Sequence, residues 1–492
     1  MMQTASRVVV VVFDGLRPDM VTPKLMPHLA AFAAESLWFR EARSVFPSMT
    51  RVATSSISTG APPSVHGIVG NSFYYPQVTR DFVLDTSLAE DLALAESRLS
   101  GPLITAETLG DRLAANEKSF AVVHSGSAGS TYAINPRAAA NGHWTFSVMG
   151  RDATRTPHAV DEVVERFGPL PPRTLPRFEE TDYVTRVFTE HVLGEMDPDV
   201  ALIWFNEPDT SFHYKFLASD ETNAIMKAVD VAFGRILAAI KARPDADEVA
   251  IIIASDHGQI SSSGVVDIAT LLTEAGHRAA RATSRPINGA DITVTGGNMG
   301  EIRMVDGDME RRDTIARWLM QRDEIGMVFT PSDDPVQGAV EGTFSTTLVG
   351  VDHARQPELV YVLHSSTDKD ANGLPGLGLI TGGVTVGGGM HGGLNRYELN
   401  TVLILGGATC SEQPGLIEAP SGIIDIAPTI LGLLGMAVPT SMRGASLTGV
   451  EARRQVALVE TFETGIGAFR QRFSIAGRGH HLFPVHGGRV ST

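Results

Sequence analysis

Apolar residues gather along this chain in short, β-branched runs that each end in acidic or polar residues. The run 8–13 ends at Asp14-Gly15, and the run 120–123 ends at His124-Ser125-Gly126. The run 200–205 ends at Asn206-Glu207-Pro208-Asp209, and 249–254 ends at Ser255-Asp256-His257-Gly258. Runs without polar alternation predict strands buried on both faces, as in a parallel sheet. Helical patterns fall at 26–35, 106–115, 182–193 and 221–241. In the last of these, Ile225, Met226, Val229, Phe233, Ile236 and Ile240 recur roughly every 3.6 residues. The pattern predicts an α/β fold, with a mostly parallel central sheet sandwiched by helices and ligands bound beyond the carboxyl ends of the strands.

Residues 265–378 follow another pattern. Strand-like segments at 292–294, 301–304 and 359–364 surround a helical stretch at 311–322, with turns at Asp306-Gly307 and Ser332-Asp333-Asp334. This predicts a smaller α+β cap inserted into the main sheet. The expected division is a core of 1–264 and 379–445, a cap of 265–378 and a C-terminal tail of 446–492. Within the tail, Gly477-Arg478-Gly479-His480-His481 reads either as a docking segment or as a frayed end. The stretch 157–177, rich in proline and charge, reads as a surface excursion. No internal repeat, coiled coil or low-complexity tract interrupts the chain.

Composition narrows the partners more than the fold. At 492 residues the chain suffices for one large domain with insertions or for two to three domains. A net charge of −16 argues against a protein that coats nucleic acid, because phosphate backbones attract Lys and Arg. It does not exclude an anionic substrate, since bound divalent cations reverse the sign locally. Cys410 stands alone, which rules out an intramolecular disulfide framework and a cysteine-cluster zinc site. The run 8–13 is too short for a signal peptide or a membrane span, and no other stretch approaches about twenty apolar residues. A cytoplasmic location without a membrane partner is the expectation.

The polar residues at the ends of these runs carry candidate chemistry. Gly60, Pro62 and Pro63 terminate a helix that begins at Thr50. Thr50 reads either as a plain helix cap or as a hydroxyl placed where the helix dipole and free N–H groups favour an anion. Asp209 and His213, four residues apart, share one side of a helical turn and are spaced to grip one ion. Asp256-His257 leaves a buried strand end as an adjacent pair, Asp14 ends the first strand, and His391 sits in a glycine-rich stretch. Together Asp14, Thr50, Asp209, His213, Asp256, His257 and His391 supply three carboxylates, three imidazoles and one hydroxyl. That donor set suits Zn²⁺, with Mn²⁺ or Fe as alternatives, and its size fits two divalent ions about 3.5–4 Å apart.

The order and context of these segments resemble the type I phosphodiesterase/nucleotide pyrophosphatase branch of the alkaline phosphatase superfamily. The resemblance runs through Val11-Val12-Phe13-Asp14-Gly15-Leu16-Arg17-Pro18-Asp19, Phe46-Pro47-Ser48-Met49-Thr50, and Ser58-Thr59-Gly60-Ala61-Pro62-Pro63-Ser64-Val65-His66-Gly67-Ile68. It continues through 208–213, 255–258 and 390–393. It implies an alkaline phosphatase-like fold and a hydrolase of small phosphoesters. One metal would be held by Asp209, His213 and His391, and the second by Asp14, Asp256 and His257 with the oxygen of Thr50, the nucleophile that forms a phosphothreonine. The family's asparagine donor to a phosphoryl oxygen falls on Asn71. Relatives with a similar Thr-Arg-Val run often carry asparagine where this chain has Ala53, a departure that bears on a substrate contact. Arg51 reads as a surface residue or as a substrate clamp, and Arg51 and Lys215 are the candidate cations for a third phosphoryl oxygen.

The same segments also resemble phosphonoacetate hydrolases, which cleave a C–P bond on the same metals. Those enzymes place lysines after the third strand to recognise a carboxylate; this chain has residues 124–130 there, without lysine, so that activity ranks second. Sulfatases need a Cys or Ser converted to formylglycine, which Thr50 cannot become. No Gly-Lys dipeptide occurs, so a P-loop is absent. A third reading is a catalytically silent metal-binding module.

Overall fold

The computed structural model describes residues 5–408, 414–449, 453–478 and 481–490. Cys410, Gly479 and His480 lie outside the described residues. The centre of the molecule is an eight-stranded sheet in the order Gly415–Ile417, Leu37–Phe39, Leu403–Gly407, Val249–Ala254, Arg7–Phe13, Val200–Phe205, Phe120–His124, Trp144–Ser147. Every pairing from Val249–Ala254 to Trp144–Ser147 is parallel. Leu403–Gly407 alone runs against its neighbours on both sides. The α/β class expected from the apolar runs is the observed one.

Alternation along the first strand explains why the sheet is covered on both faces. Val8, Val10 and Val12 point into one apolar cluster with Val52, Ala53 and Ile57 of helix Thr50–Thr59. Val9, Val11 and Phe13 point into a second cluster with Met226, Val229, Phe233 and Ile236 of helix Asp220–Lys241. A strand buried on both sides has no polar face to show, which is why it reads as a continuous apolar run. Ala53 is fully buried in the first cluster, so the departure at that position concerns packing and not the cavity described below.

Residues 260–390 build two further sheets. Ile260–Val265 pairs with Pro375–Ile380 and Gly389–Met390. A six-stranded sheet runs Ala279–Arg281, Ile292–Val294, Met299–Met304, Leu359–Leu363, Ile325–Thr330, Phe344–Ser345, and helix Met309–Met320 packs against it. The stretch 157–177 is not wholly irregular: Ala159–Phe167 is a helix whose Ala159, Val160 and Val163 are buried in the second apolar cluster.

The C-terminal segment forms an antiparallel meander of Leu458–Ile466, Phe469–Arg478 and His481–Arg489. It is docked on the rest of the molecule by specific contacts. Phe473 and Ile475 share a cluster with Phe46, Met327 and Phe329. The Gln471 carboxamide accepts from the Val328 N–H at 3.0 Å and donates to the Val328 and Gly342 carbonyls at 3.2 and 2.7 Å. Arg478 donates to Asp425 at 2.6 Å, and both side chains are buried. Asp425 also accepts N–H bonds from Gly422 and Ala445. Removing one partner of such a pair strands a buried charge, which costs about 3–5 kcal/mol. Arg478→Met is therefore expected to destabilise the protein by about that amount and to expose residues 458–489 to proteolysis. A denaturant midpoint and protease resistance both equal to those of the parent would contradict this.

Candidate metal centre

Three neighbouring strands decide where the carboxylates go. In the parallel register Val12 lies opposite both Trp204 and Ala254, so the strands containing Val249–Ala254, Arg7–Phe13 and Val200–Phe205 end side by side. Strands in a sheet are about 4.8 Å apart. The residues just beyond these ends, Asp256-His257, Asp14 and Asp209, are thereby brought into one crevice. Asp209 opens the helix Asp209–Lys215, which carries His213 one turn on. Gly15 turns the chain at φ 70°, where a Cβ would lie 3.1 Å from the Asp209 Cβ.

His391 and Thr50 arrive from elsewhere. Met390 pairs with Ile260 across an antiparallel bridge, which sets His391 beside the Asp256-His257 segment. Ser48 laces the two remaining pieces together: its N–H donates to the Gly392 carbonyl at 3.2 Å and its hydroxyl to the Gly393 carbonyl at 3.1 Å. Thr50 is the first residue of its helix, not its cap. The cap position is Met49, which makes no side-chain capping bond. The Thr50 hydroxyl instead stands 3.3 Å from His257 Nε2.

The seven candidate residues converge. Ligand-type atoms of Asp209, His213 and His391 lie within 4.8 Å of one another, as do those of Asp14, Asp256 and His257. His213 Nε2 is 3.3 Å and His391 Nε2 is 3.5 Å from Asp209 Oδ1. His257 Nε2 is 3.2 Å from Asp256 Oδ2 and 3.6 Å from Asp14 Oδ1. The two triads touch, since the His257 and His391 rings stack with centroids 3.6 Å apart.

All three histidines are oriented alike. Nδ1 of His213 lies 2.7 Å from the Gly389 carbonyl, Nδ1 of His391 lies 2.8 Å from the Ser48 carbonyl, and Nδ1 of His257 lies 3.0 Å from the Gly258 carbonyl. A carbonyl only accepts, so each Nδ1 carries a proton and each Nε2 faces the crevice; burial works against a charge on His213, but Asp209 raises it above the ordinary histidine value. Such backbone anchoring is how proteins aim imidazoles at a metal. A Cβ on Gly389 would lie 2.0 Å from Gln259 Oε1, so a side chain there would displace the Gln259 amide that donates to Asp209.

Asp14 and Asp256 are each tied down by one oxygen and leave the other toward the imidazoles, whereas Asp209 turns the same Oδ1 to Gln259 and to the imidazoles. The Trp204 indole donates to Asp14 Oδ2 at 3.0 Å, while the Gly15 and His257 N–H groups donate to Asp256 Oδ1 at 3.1 and 3.0 Å. Asp14 Oδ1 and Asp256 Oδ2 are buried without any hydrogen-bond partner. Gln259 donates to Asp209 Oδ1 at 2.5 Å. Burial, then the charges of Asp256 and Asp209, raises the Asp14 carboxyl well above the usual carboxylate range. Burial pushes Asp256 up to about 8. Burial also opposes ionisation of Asp209, but His213, then His391 and His257, hold it below the ordinary value. Burial lowers His391 to about 4 and His257 well below the ordinary histidine range. Orphaned carboxylate oxygens facing imidazole Nε2 atoms are a donor set that divalent cations fit.

A cavity of about 230 Å³ opens onto Asp14, Thr50, Asp209, His213 and His391 and onto Arg51, Asn71 and Ser125–Ser127. Asn71 accepts the Arg51 N–H through Oδ1 at 3.1 Å, which leaves its NH₂ group for a ligand. Arg51 is not a surface residue: its side chain is 18% exposed and lines the cavity, whereas Lys215 does not. Sequence reasoning missed Arg177, Trp204 and Gln259. Gln259 directly follows Asp256-His257-Gly258, a signal that was available; Trp204 and Arg177 carried none.

The type I phosphodiesterase/nucleotide pyrophosphatase family pattern matches residues 8–322. The chain belongs to this family, whose members are metal-dependent hydrolases. His391 lies beyond the matched stretch, so its inclusion rests on the geometry above. The bis(5'-adenosyl)-triphosphatase enpp4 of Mus musculus is 27% identical over 275 residues, 54% of this chain and 50% of that protein. The chain thus spans about half the length of this curated relative. The murine ectonucleotide pyrophosphatase/phosphodiesterase 5, solved as an inactive variant with AMP, superposes with a TM-score of 0.60 at 16% identity, covering 88% of this chain and 96% of that one. Phosphonoacetate hydrolase from Sinorhizobium meliloti, solved with phosphonoformate, gives 0.60 at 18% identity over 88% and 96%. These two likenesses show the fold. Among the described residues, no helix is long and apolar enough to cross a membrane.

The shifted carboxyls have a measurable consequence. Without cations, folded Asp256 keeps its proton up to about pH 8, whereas an unfolded aspartate has released its proton above about pH 4. Between those values this carboxyl is protonated in the folded state and not in the unfolded one, so its own contribution to the stability of the cation-free fold is lost as pH rises. Cations bound by these donors would take the proton's place. The melting-temperature gap between zinc-loaded and chelator-treated protein is expected to widen from about pH 5.5 to about pH 8; a gap that narrows over this range would contradict it.

Proposed function

We propose that this chain is a two-metal phosphoester hydrolase, a phosphodiesterase or nucleotide pyrophosphatase acting on small phosphoesters through a phosphothreonine at Thr50. The observation that carries the proposal is the contact of two Asp/His triads through the stacked His257 and His391 rings, with the Thr50 hydroxyl 3.3 Å from His257. Asp209, His213 and His391 would hold one cation, and Asp14, Asp256 and His257 with the Thr50 oxygen the other. Imidazole and carboxylate donors without thiolate favour zinc, with manganese or iron as alternatives. Such cations lower the pKa of a hydroxyl and neutralise charge on a phosphoryl group.

The protein's own residues supply position. The first turn of the helix Thr50–Thr59 is rigid, with the Thr54 hydroxyl donating to the Thr50 carbonyl at 2.6 Å. Thr50 Oγ1 attacks phosphorus, an Oγ1–P bond forms, and the bond from phosphorus to the leaving oxygen breaks. The hydroxyl proton is lost to solvent, and the leaving group departs as a phosphate or, taking a proton from solvent on its leaving oxygen, as an alcohol. Water then attacks the phosphothreonine, the Oγ1–P bond breaks, and Thr50 is regenerated. The Asn71 NH₂ group donates to a non-bridging phosphoryl oxygen, while the N–H groups of the first turn favour its charge.

Hydrolysis of bis-p-nitrophenyl phosphate by the zinc- or manganese-loaded protein tests this reading. Thr50→Ala is expected to lower turnover on the order of 10³-fold or more with bound metal unchanged. A parent that holds two cations per chain and turns over no phosphoester would instead favour a silent metal-binding module.

A further inference from the structure

The phosphoester reading leaves the other side of the substrate open, and the cavity walls bear on it. Among the described residues no Phe, Tyr or Trp side chain lines this cavity; the aromatic rings nearby, Phe46 and Tyr361, line a neighbouring cavity that shares Asn71 with it. The volume of the cavity beside Thr50, about 230 Å³, is below the roughly 300–1,000 Å³ that encloses a drug-sized ligand. What the walls do offer is cationic. Arg51 and Arg177 both line the cavity that holds Thr50 and Asp209.

Both arginines are largely buried and incompletely paired. Arg51 is 18% exposed; its contacts are Thr86 Oγ1 at 3.4 Å from Nε and the Asp85 carboxylate at 3.9 Å. Burial works against its charge, and Asp85, Asp14 and Asp209 oppose that effect. Arg177 is 19% exposed and gives Nη1 to buried Glu180 at 3.2 Å. Its backbone N–H donates to Glu207 Oε1 at 3.1 Å, which fixes the base of the side chain. Among the described residues, Nε and Nη2 of Arg177 donate to no protein acceptor. Glu180 offsets part of this charge but occupies one nitrogen only. A guanidinium fork with free N–H groups matches the planar oxygens of a carboxylate or the oxygens of a phosphoryl group.

We infer that Arg51 and Arg177 form an anion subsite beside Thr50, so that the substrate carries a second compact negative group next to its reacting phosphoryl group. The inference rests on the phosphoester reading and narrows it to esters whose leaving side is itself anionic. The shared chemistry is a small oxyanion, supplied either by a carboxylate or by a further phosphoryl group.

Three phosphonates test the subsite by binding to the zinc-loaded full chain, with metal content checked for every variant. Ethylphosphonate has no second anion, phosphonoacetate adds a carboxylate, and methylenediphosphonate adds a phosphonate. At least one of the two probes with a second anionic group is expected to bind about tenfold or more tighter than ethylphosphonate, and which one does so identifies the source. Arg177→Met and Arg51→Met are expected to lose most of that margin, while Arg177→Lys and Arg51→Lys retain part of it. An equal margin in the parent and both methionine variants would overturn the subsite, because attraction to the metals alone would then explain it. Absence of any margin in the parent overturns it as well. If the parent with two cations bound takes up none of the three probes, the phosphoester reading itself falls and the subsite falls with it.

Discussion

Three aspartates crowd one water-poor crevice at the ends of neighbouring strands, and the rest of the site answers to that arrangement. Two unit charges 4 Å apart repel by about 4 kcal/mol at an effective dielectric of 20. Without cations the crowding favours protons on Asp14 and Asp256, whose carboxyls are displaced upward, while His213 offsets the charge of Asp209. A fold under no functional demand does better with apolar residues at such positions. Divalent cations remove the penalty and convert the repulsion into an affinity.

The surroundings fix the direction of every donor. Backbone carbonyls of Gly389, Ser48 and Gly258 set the three imidazoles, and the Trp204 indole and the Gly15 and His257 amides set two of the carboxylates. These partners come from five separated stretches of chain, so the site exists only when the sheet, the Ile260–Val265 pairing and the Phe46–Thr50 segment are all in place. Metal affinity and folding are therefore linked. The C-terminal meander contributes to the same scaffold at one remove, since Phe473 packs in the cluster that contains Phe46, four residues before Thr50.

The cavity wall is mixed. It combines carboxylates and imidazoles suited to cations with two guanidinium groups, hydroxyls and an amide. With cations bound, an anionic substrate there would meet positive charge from both sources, despite a chain whose net charge is −16. Global charge therefore says little about a site whose field is set within a few ångströms.

The amino-acid pattern by itself determined the strands and their ends. Continuous apolar runs required burial on both faces, hence a parallel sheet, and a parallel sheet aligns its carboxyl ends, which made Asp14, Asp209, Asp256 and His257 legible as a group. Helix Thr50–Thr59 was legible from Gly60 and the prolines that stop it. Only the tertiary structure decided the remainder. The family resemblance had already named His391 as a ligand, but only the structure shows how it arrives: through Ser48 and the Ile260–Met390 bridge, across more than a hundred residues. Arg177 closes a proline-rich stretch that looks like surface, yet the Glu207 and Glu180 contacts turn it into the cavity. Trp204 looks like any core residue of its strand until the register places its indole N–H on Asp14. Periodicity reports which face of an element is buried; it does not report what that face meets, because contacts between distant segments are set by packing of the whole chain.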